Sequence, residues 1–380
     1  MNKGDFRLNL KSLKVKYSGK TVGTLAAASN GKIAFSYDEE WLKNGFSISP
    51  FSLPLENKVF VPKNNNFGGL FGIFADSLPD AWGRLLLDRM MNEYNISDFA
   101  GPLDRLALTG NSGMGALEYE PDYSSHDNAE LKNLDYLAEQ CRKILSSEYS
   151  DELDTLYRMG GSSGGARPKI LTSFEDKDWI IKFHARVDSD DSGLQEYNYS
   201  KCAVKCGIDM TETRLFKSEK CAGYFGTVRF DRKNGSKIHT ASAAALLEAD
   251  FTSPCLDYNT LMKLTRILTN DNRHDTENMF RRACFNVFAH NRDDHAKNFS
   301  YIYNQENDSW SLSPAYDLTF SSTYFGEHTT SVDGNGKNPG EKELLNVGLK
   351  AGLNKELCID IINVIKANTK DLTKYSKRNK

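Results

Sequence analysis

No stretch of this chain approaches the ~18 uninterrupted apolar residues of a membrane-spanning helix, and its start lacks a basic leader followed by an apolar block. A soluble, cytoplasmic protein with no membrane partner is expected, with export lacking a cleavable leader left open. The seven cysteines, Cys141, Cys202, Cys206, Cys221, Cys255, Cys284 and Cys358, show no paired CxxC spacing, so neither a zinc ribbon nor a disulfide framework is indicated. A basic excess is missing as well. Lys and Arg number 48 against 51 Asp and Glu, a formal net charge of -3 that argues against gripping nucleic acid by bulk charge, so any DNA contact is expected to be indirect. Neither the Walker A pattern nor the strict kinase glycine pattern occurs. With 380 residues, 39% of them hydrophobic, the chain can still bury a substantial core and form two or three structural units.

What is present is the stretch Asp293-Asp294-His295-Ala296-Lys297-Asn298-Phe299-Ser300, followed by Ala315-Tyr316-Asp317-Leu318. Phosphoryl transfer needs a carboxylate near the attacking hydroxyl, then an amide and a second carboxylate to hold the magnesium ions that bridge the nucleotide phosphates. Asp293 fits the catalytic role; Asn298 and Asp317 fit the metal-binding ones. Four residues separate Asp293 from Asn298, as they separate the catalytic Asp and metal-binding Asn of protein kinases. The plain alternative is a polar loop solvating itself after a helix. A transition-metal cluster of His290, Asp293, Asp294 and His295 is disfavoured, because four ligands crowded on one short loop rarely converge on one ion.

Two upstream motifs favour the phosphoryl-transfer reading. Met159-Gly160-Gly161-Ser162-Ser163-Gly164-Gly165-Ala166-Arg167-Pro168-Lys169 runs straight into the apolar Ile170-Leu171-Thr172. Its glycines allow close approach and positive φ, so the backbone N–H groups around Ser162, Ser163, Gly164 and Gly165 can meet an anion such as the phosphates of ATP. The second glycine run, Gly110 to Gly115, lacks a following lysine-bearing hairpin and reads as a turn. Past the polar turn Phe174 to Asp178, the segment Trp179-Ile180-Ile181-Lys182-Phe183-His184 alternates as the return strand of a hairpin. Trp179, Ile181 and Phe183 share one face; Lys182 lies on the other, where it can pair with phosphate. The order glycine loop, lysine strand, Glu196 on the next helix, then acid, amide and acid, is what chance rarely produces.

The coarse organisation is α+β. Short alternating segments at Ser12 to Tyr17, Thr21 to Leu25 and Ile33 to Tyr37 form a β-meander, and Asp80 to Met91 is helical, with Trp82 and Leu85 on a core-facing stripe. Pro121 to Asn128 is the linker candidate. Beyond it come helix, glycine loop, hairpin, helix and strand, then a mainly helical region with helices expected over Ala241 to Ala249, Tyr258 to Leu268, Thr276 to His290 and Leu344 to Ala367. Phe320 to Glu341 reads as a mobile loop, and Lys370 to Lys380 as a frayed, solvated end. The expected divisions are 1–122, 123–231 and 232–380.

These motifs resemble those of a known family, the HipA-like serine/threonine kinases of bacterial toxin–antitoxin systems, over nearly the whole chain. His295 to Ser300 resembles the family's catalytic loop, and Ala75-Asp76-Ser77-Leu78-Pro79-Asp80-Ala81-Trp82-Gly83-Arg84-Leu85-Leu86 its N-terminal signature. Val228-Arg229-Phe230-Asp231-Arg232 is similar to the segment that joins the lobes and touches adenine, and Ser313 to Leu318 to the metal-binding turn. The resemblance implies a two-lobed kinase-like fold with an additional small N-terminal β-rich subdomain and a mainly helical C-terminal lobe, with residues 1–122, 123–231 and 232–380 as those three parts. It implies ATP and Mg2+ as cofactors, with Val228, Phe230 and Asp231 joining the nucleotide site and His295 fixing the loop. The family's D-x-H-A-K-N pattern selects Asp293 over Asp294. A growth-arresting toxin is implied, acting on a protein substrate such as an aminoacyl-tRNA synthetase and paired with a helix-turn-helix antitoxin. Autophosphorylation of a loop serine is implied too. Matching S-x-x-G-x-x-x-K onto Ser162 to Lys169 selects Ser162, with Ser163 adjacent. The alternatives are an antitoxin-binding co-repressor with catalysis secondary or lost, and a small-molecule phosphotransferase.

Overall fold

The computed structural model describes residues 9–93, 101–124, 133–162, 164–185, 188–250, 256–323, 326–372 and 375. Its contacts divide the chain into two compact units, Met1–Asp190 with Phe216–Ala241 and Ala245–Glu248, and Asp191–Leu215 with Ser242–Ala244 and Ala249–Lys380.

In the first unit the expected meander forms as strands Ser12–Tyr17, Lys20–Ala27 and Ile33–Tyr37, each antiparallel to the next. Ser18 and Gly19 both have positive φ, the two-residue turn whose twist suits a hairpin. Strand Val59–Phe60 adds to one edge and Leu117–Glu120 to the other, making a five-stranded sheet. Alternation turns Leu13, Val15 and Tyr17 inward.

The second hairpin, Lys169–Phe174 with Lys177–Lys182, turns through Glu175 and Asp176, again both at positive φ, and pairs onward with strand Tyr224–Val228. Trp179, Ile181 and Phe183 are buried, as the alternation requires, while Ile180 and Lys182 are half-buried. One apolar core joins this buried face to Trp82, Leu86 and Met90 of helix Ala81–Glu93, and to helices Leu134–Leu145 and Leu153–Gly160. That shared core is why the contacts do not separate residues 1–122 from the glycine-loop hairpin. Helix Ser192–Lys205, expected with the small lobe, belongs to the second unit. Of the linker candidate, Pro121 to Ser124 lie among the described residues.

The second unit is mainly helical. Helix Tyr258–Leu268 falls where the periodicity places it, with Asp257 accepting from the Asn259 N–H as its cap. The next helix, Arg273–Phe288, starts before the expected Thr276 because Asn272 caps it, accepting from the Asp275 N–H at 3.2 Å. Two expectations fail on local grounds. Leu344 to Ala367 is two helices, Glu341–Lys350 and Lys355–Asn368, broken at Gly352 with φ +81 and restarted by the Asn354 cap. Ala241 to Ala249 yields only the short helix Ala243–Leu247, preceded by strand Thr240–Ser242. Of the stretch Lys370 to Lys380, expected to be a solvated end, only residues 370–372 and 375 lie among the described residues. Leu372 and Tyr375 are buried, and Asn198 Nδ2 donates to Tyr375 Oη at 2.8 Å.

Candidate active site

The glycine loop of the first unit leaves helix Leu153–Gly160 and enters strand Lys169–Phe174. Ser162 Oγ donates to the Ser112 carbonyl at 3.1 Å, so the second glycine run, read as a turn, is also the loop's neighbour. The Gly165 N–H, at φ +83, donates to Asp80 Oδ2 at 2.8 Å. Lys169 Nζ donates to the Gly164 carbonyl. Ser163 lies outside the described residues. Lys182 is the Cα partner of Lys169, which sets it beside the loop's exit, and its Nζ lies 5.8 Å from the Phe225 ring centroid.

In the segment Val228 to Arg232 the Asp231 side chain is held by its own neighbours. Val228 pairs with Trp179, and both Val228 and Phe230 are half-buried. Asp231 is 0% exposed, and its carboxylate accepts from Arg229 Nε at 2.9 Å, Arg232 Nη1 at 2.7 Å and the Gly115 N–H at 2.8 Å. Arg232 also donates to the Gly113 and Gly115 carbonyls. Burial opposes the charged carboxylate, but Arg229 and Arg232 outweigh it and hold the Asp231 pKa down to about 2. Burial likewise brings Arg232 down to about 10. The Asp231 side chain is therefore a structural tie to the second glycine run.

In the second unit the chain after helix Arg273–Phe288 is pinned on both sides. The Ser321 N–H donates to the His290 carbonyl, the Arg292 N–H to the Ser321 carbonyl, and the Thr329 N–H to the Arg292 carbonyl. The adjacent acids then part company. Asp293 has a side chain 56% exposed, whereas that of Asp294 is 0% exposed. The Asp294 carboxylate accepts from Tyr258 Oη at 2.9 Å, His328 Nδ1 at 2.9 Å and the Thr330 N–H at 3.1 Å. Asn286 and Asn291 extend this interior network, since Asn286 Nδ2 donates to Tyr258 Oη and Asn291 Nδ2 to Asn286 Oδ1. His328 and Thr330 belong to the stretch expected to be a mobile loop. Its described part is anchored, with Thr330 and Val332 fully buried.

Asn298 closes a short 3-10 turn and donates from Nδ2 to the Asp293 carbonyl at 2.7 Å. This leaves Oδ1 as the amide's hard oxygen donor, the kind magnesium takes. Tyr316 Oη donates to the Lys297 carbonyl at 2.6 Å and pairs with Ser300 Oγ at 2.6 Å. Lys297 and Tyr316 immediately precede Asn298 and Asp317, so one hydroxyl ties the two proposed metal-binding turns together. Asp317 is half-buried and at φ 55. Nε2 of His295 stands 3.9 Å from Asp293 Oδ1. Among the described residues no group of three or more His, Cys, Asp or Glu side chains converges as a metal cluster, and the inward turn of Asp294 explains why the four-ligand alternative does not assemble. Glu196 is buried on helix Ser192–Lys205.

Residues 161–372 match the family model of the HipA-like C-terminal domain, and residues 13–120 that of the HipA N-terminal domain. The chain belongs to the HipA-like family. It is 23% identical over 375 residues to Putative kinase Y4dM of Sinorhizobium fredii (strain NBRC 101917 / NGR234), covering 92% of this chain and 88% of that protein. It is 23% identical over 351 residues to its namesake Y4mE of the same organism, covering 83% and 79%. A chain from the Shewanella oneidensis MR-1 toxin–antitoxin complex of HipA, HipB and operator DNA aligns with TM-score 0.70 at 18% identity, covering 95% of this chain and 89% of that one. That likeness is one of fold, a mixed helix and sheet architecture with a small N-terminal sheet. No helix among the described residues is long and apolar enough to cross a membrane.

Asp80, Tyr258 and His328 were missed as site-supporting residues. Asp80 carried a signal, since it lies within the N-terminal signature; Tyr258 and His328 carried none that local pattern could reveal.

Proposed function

We propose that the chain is an ATP- and magnesium-dependent serine/threonine-protein kinase of the growth-arresting type.

 The observation that carries this reading is the division of labour at the catalytic loop: Asp294 is spent on the interior, and Asp293 faces outward beside the Asn298 amide. A kinase of this kind uses Asp293 to orient the substrate hydroxyl and accept its proton. Lys182 neutralises charge on the nucleotide phosphates, Val228 and Phe230 flank the adenine, and the backbone of Ser162, Ser163, Gly164 and Gly165 lines the phosphates. Magnesium, when bound, supplies charge neutralisation between the phosphates, and Asn298 and Asp317 are the residues that would hold it.

The acceptor is a serine or threonine of a protein, with a translation protein such as an aminoacyl-tRNA synthetase as the family-based candidate. The Shewanella complex holds HipB and operator DNA together with HipA, which supports an antitoxin as partner; a helix-turn-helix antitoxin that carries the DNA contact is the family-based candidate. Phosphoproteomics after brief induction, comparing wild type with Asp293→Asn, tests the function. New phosphoserine or phosphothreonine sites confined to wild type are expected, and identical profiles with undiminished growth arrest would leave the co-repressor reading instead.

Autophosphorylation at Ser162 has a physical basis in its hydrogen bond to the Ser112 carbonyl. A phosphate removes that donor and adds about -1.5 to -2 charge beside a carbonyl oxygen, which drives the loop outward and weakens ATP binding. Mass spectrometry should find phosphate on Ser162 or Ser163 in wild type and not in Asp293→Asn. Equal ATP affinity of the phosphorylated and dephosphorylated protein would remove the switch.

A further inference from the structure

We infer that the Asp80-Ala81-Trp82 turn is a clamp through which the N-terminal domain holds the glycine loop in shape and so sets nucleotide affinity, with Asp80 and Trp82 as positioning residues. The role in nucleotide affinity rests on the kinase reading; the clamp itself does not.

Asp80 Oδ2 accepts from the Gly165 N–H at 2.8 Å, and the Gly165 carbonyl accepts from the Trp82 N–H at 3.3 Å. The backbone of one loop residue is thus bonded through both its polar groups to a single turn. Further along, Trp82 Nε1 donates to the Lys169 carbonyl at 3.1 Å, from an indole 1% exposed in the shared core. The approach is close enough to exclude side chains: a Cβ on Gly83 would meet the Gly161 carbonyl oxygen at 2.6 Å. The bonds hold the loop at Gly165 and Lys169, and the close approach of Gly83 lies at Gly161. The clamp residues fall within 13–120 and the loop within 161–372, so the bonds join the two parts that the family models treat separately.

Ordering a free glycine-rich loop costs conformational entropy at every residue fixed. A loop held beforehand does not incur that cost when a phosphate arrives, which is how preorganisation raises affinity. The Asp80 bond is charge-assisted, the stronger kind, and its acceptor cannot be replaced by water without loosening Gly165.

The test uses the full chain and two readouts, amide hydrogen exchange across 164–169 and the dissociation constant for Mg-ATP. Asp80→Ala should exchange faster in that window and bind Mg-ATP about tenfold or more weakly, as expected for one lost charge-assisted hydrogen bond. Asp80→Asn keeps an acceptor oxygen and should restore both readouts most of the way. Trp82→Phe keeps the ring in the core but loses the indole donor. It should loosen exchange at Lys169 with a smaller loss of affinity, which guards against a misfolded Asp80→Ala. Unchanged exchange in both Asp80→Ala and Trp82→Phe overturns the clamp. Tighter nucleotide binding in Asp80→Ala also overturns it, because Asp80 would then be competing with phosphate for the Gly165 N–H. If the wild type binds no Mg-ATP, the kinase reading falls, and the exchange readout still decides whether the clamp exists.

Discussion

The segment Val228 to Arg232 and the loop Asp293 to Asn298 each hold a fully buried aspartate, yet they satisfy the buried carboxylate in different ways. Asp231 is met by two guanidinium groups and one backbone N–H. Asp294 is met by a tyrosine hydroxyl, an imidazole and a backbone N–H. The first is an ion cluster in which removing the acid strands two cations. The second is a polar network, less costly to disturb, whose donors hold the downstream segment at His328 and Thr330. Interior acids can thus serve as rigid mounts for neighbours that act, and the donor type decides how the mount fails.

The largest expected effect lies beside the Asp294 mount. Asp293→Asn should retain Mg-ATP binding and lower phosphoryl transfer by ~10²–10⁴, the loss expected for a positioned acid–base group. The comparison would invert if Asp294→Asn abolished transfer at full stability while Asp293→Asn remained active.

Next in size is Asp231→Ala, which leaves Arg229 and Arg232 buried without their counter-charge and should cost ~3–5 kcal/mol in denaturant unfolding. A loss below about 1 kcal/mol would mean that water compensates the arginines and the cluster is not the tie described.

Asp294→Asn should be milder, about 1–3 kcal/mol, and local. Hydrogen exchange should quicken at residues 328–332 before global stability falls. If exchange there matches wild type, Asp294 does not anchor that segment.

The smallest effect is a pH dependence at Asp231. The folded pKa of Asp231 lies at about 2, below its ordinary value of 3.8. A depressed carboxylate contributes stability that is present above its unfolded pKa and is lost as pH falls through the folded one. Stability from this cluster should therefore be whole above about pH 4 and decline toward pH 2. In acid titrations followed by circular dichroism, Asp231→Asn should flatten that part of the profile, and an unchanged profile would mean that the cluster does not set the acid limb.

Much of this protein was legible because the relevant physics is local. Alternation along Trp179 to Phe183 settled which side chains enter the core and left Lys182 on the other face. The three- and four-residue steps of Tyr258 to Leu268 located that helix to its ends. The acid, amide and acid spacing is what puts Asp293, Asn298 and Asp317 forward as the proposed site. Where the reading went astray, local signals competed with packing. Glycine- and serine-rich composition suggested mobility over Phe320 to Glu341, and the buried donors His328 and Thr330 overrode it. Helical periodicity ran through Gly352 and Asn354, whose backbone preferences break the helix.

By itself the sequence determined the strand and helix periods, the two-residue hairpin turns and the family to which the chain belongs, since each is written in residues a few positions apart. Only the tertiary structure decided which acid is interior. Asp294 meets His328 and Tyr258 across 34 and 36 positions, Asp80 meets Gly165 across 85, and Asp231 meets Gly115 across 116. At such separations a carboxylate's burial and partners follow from how whole elements pack, because only packing removes water and brings distant donors within hydrogen-bond reach.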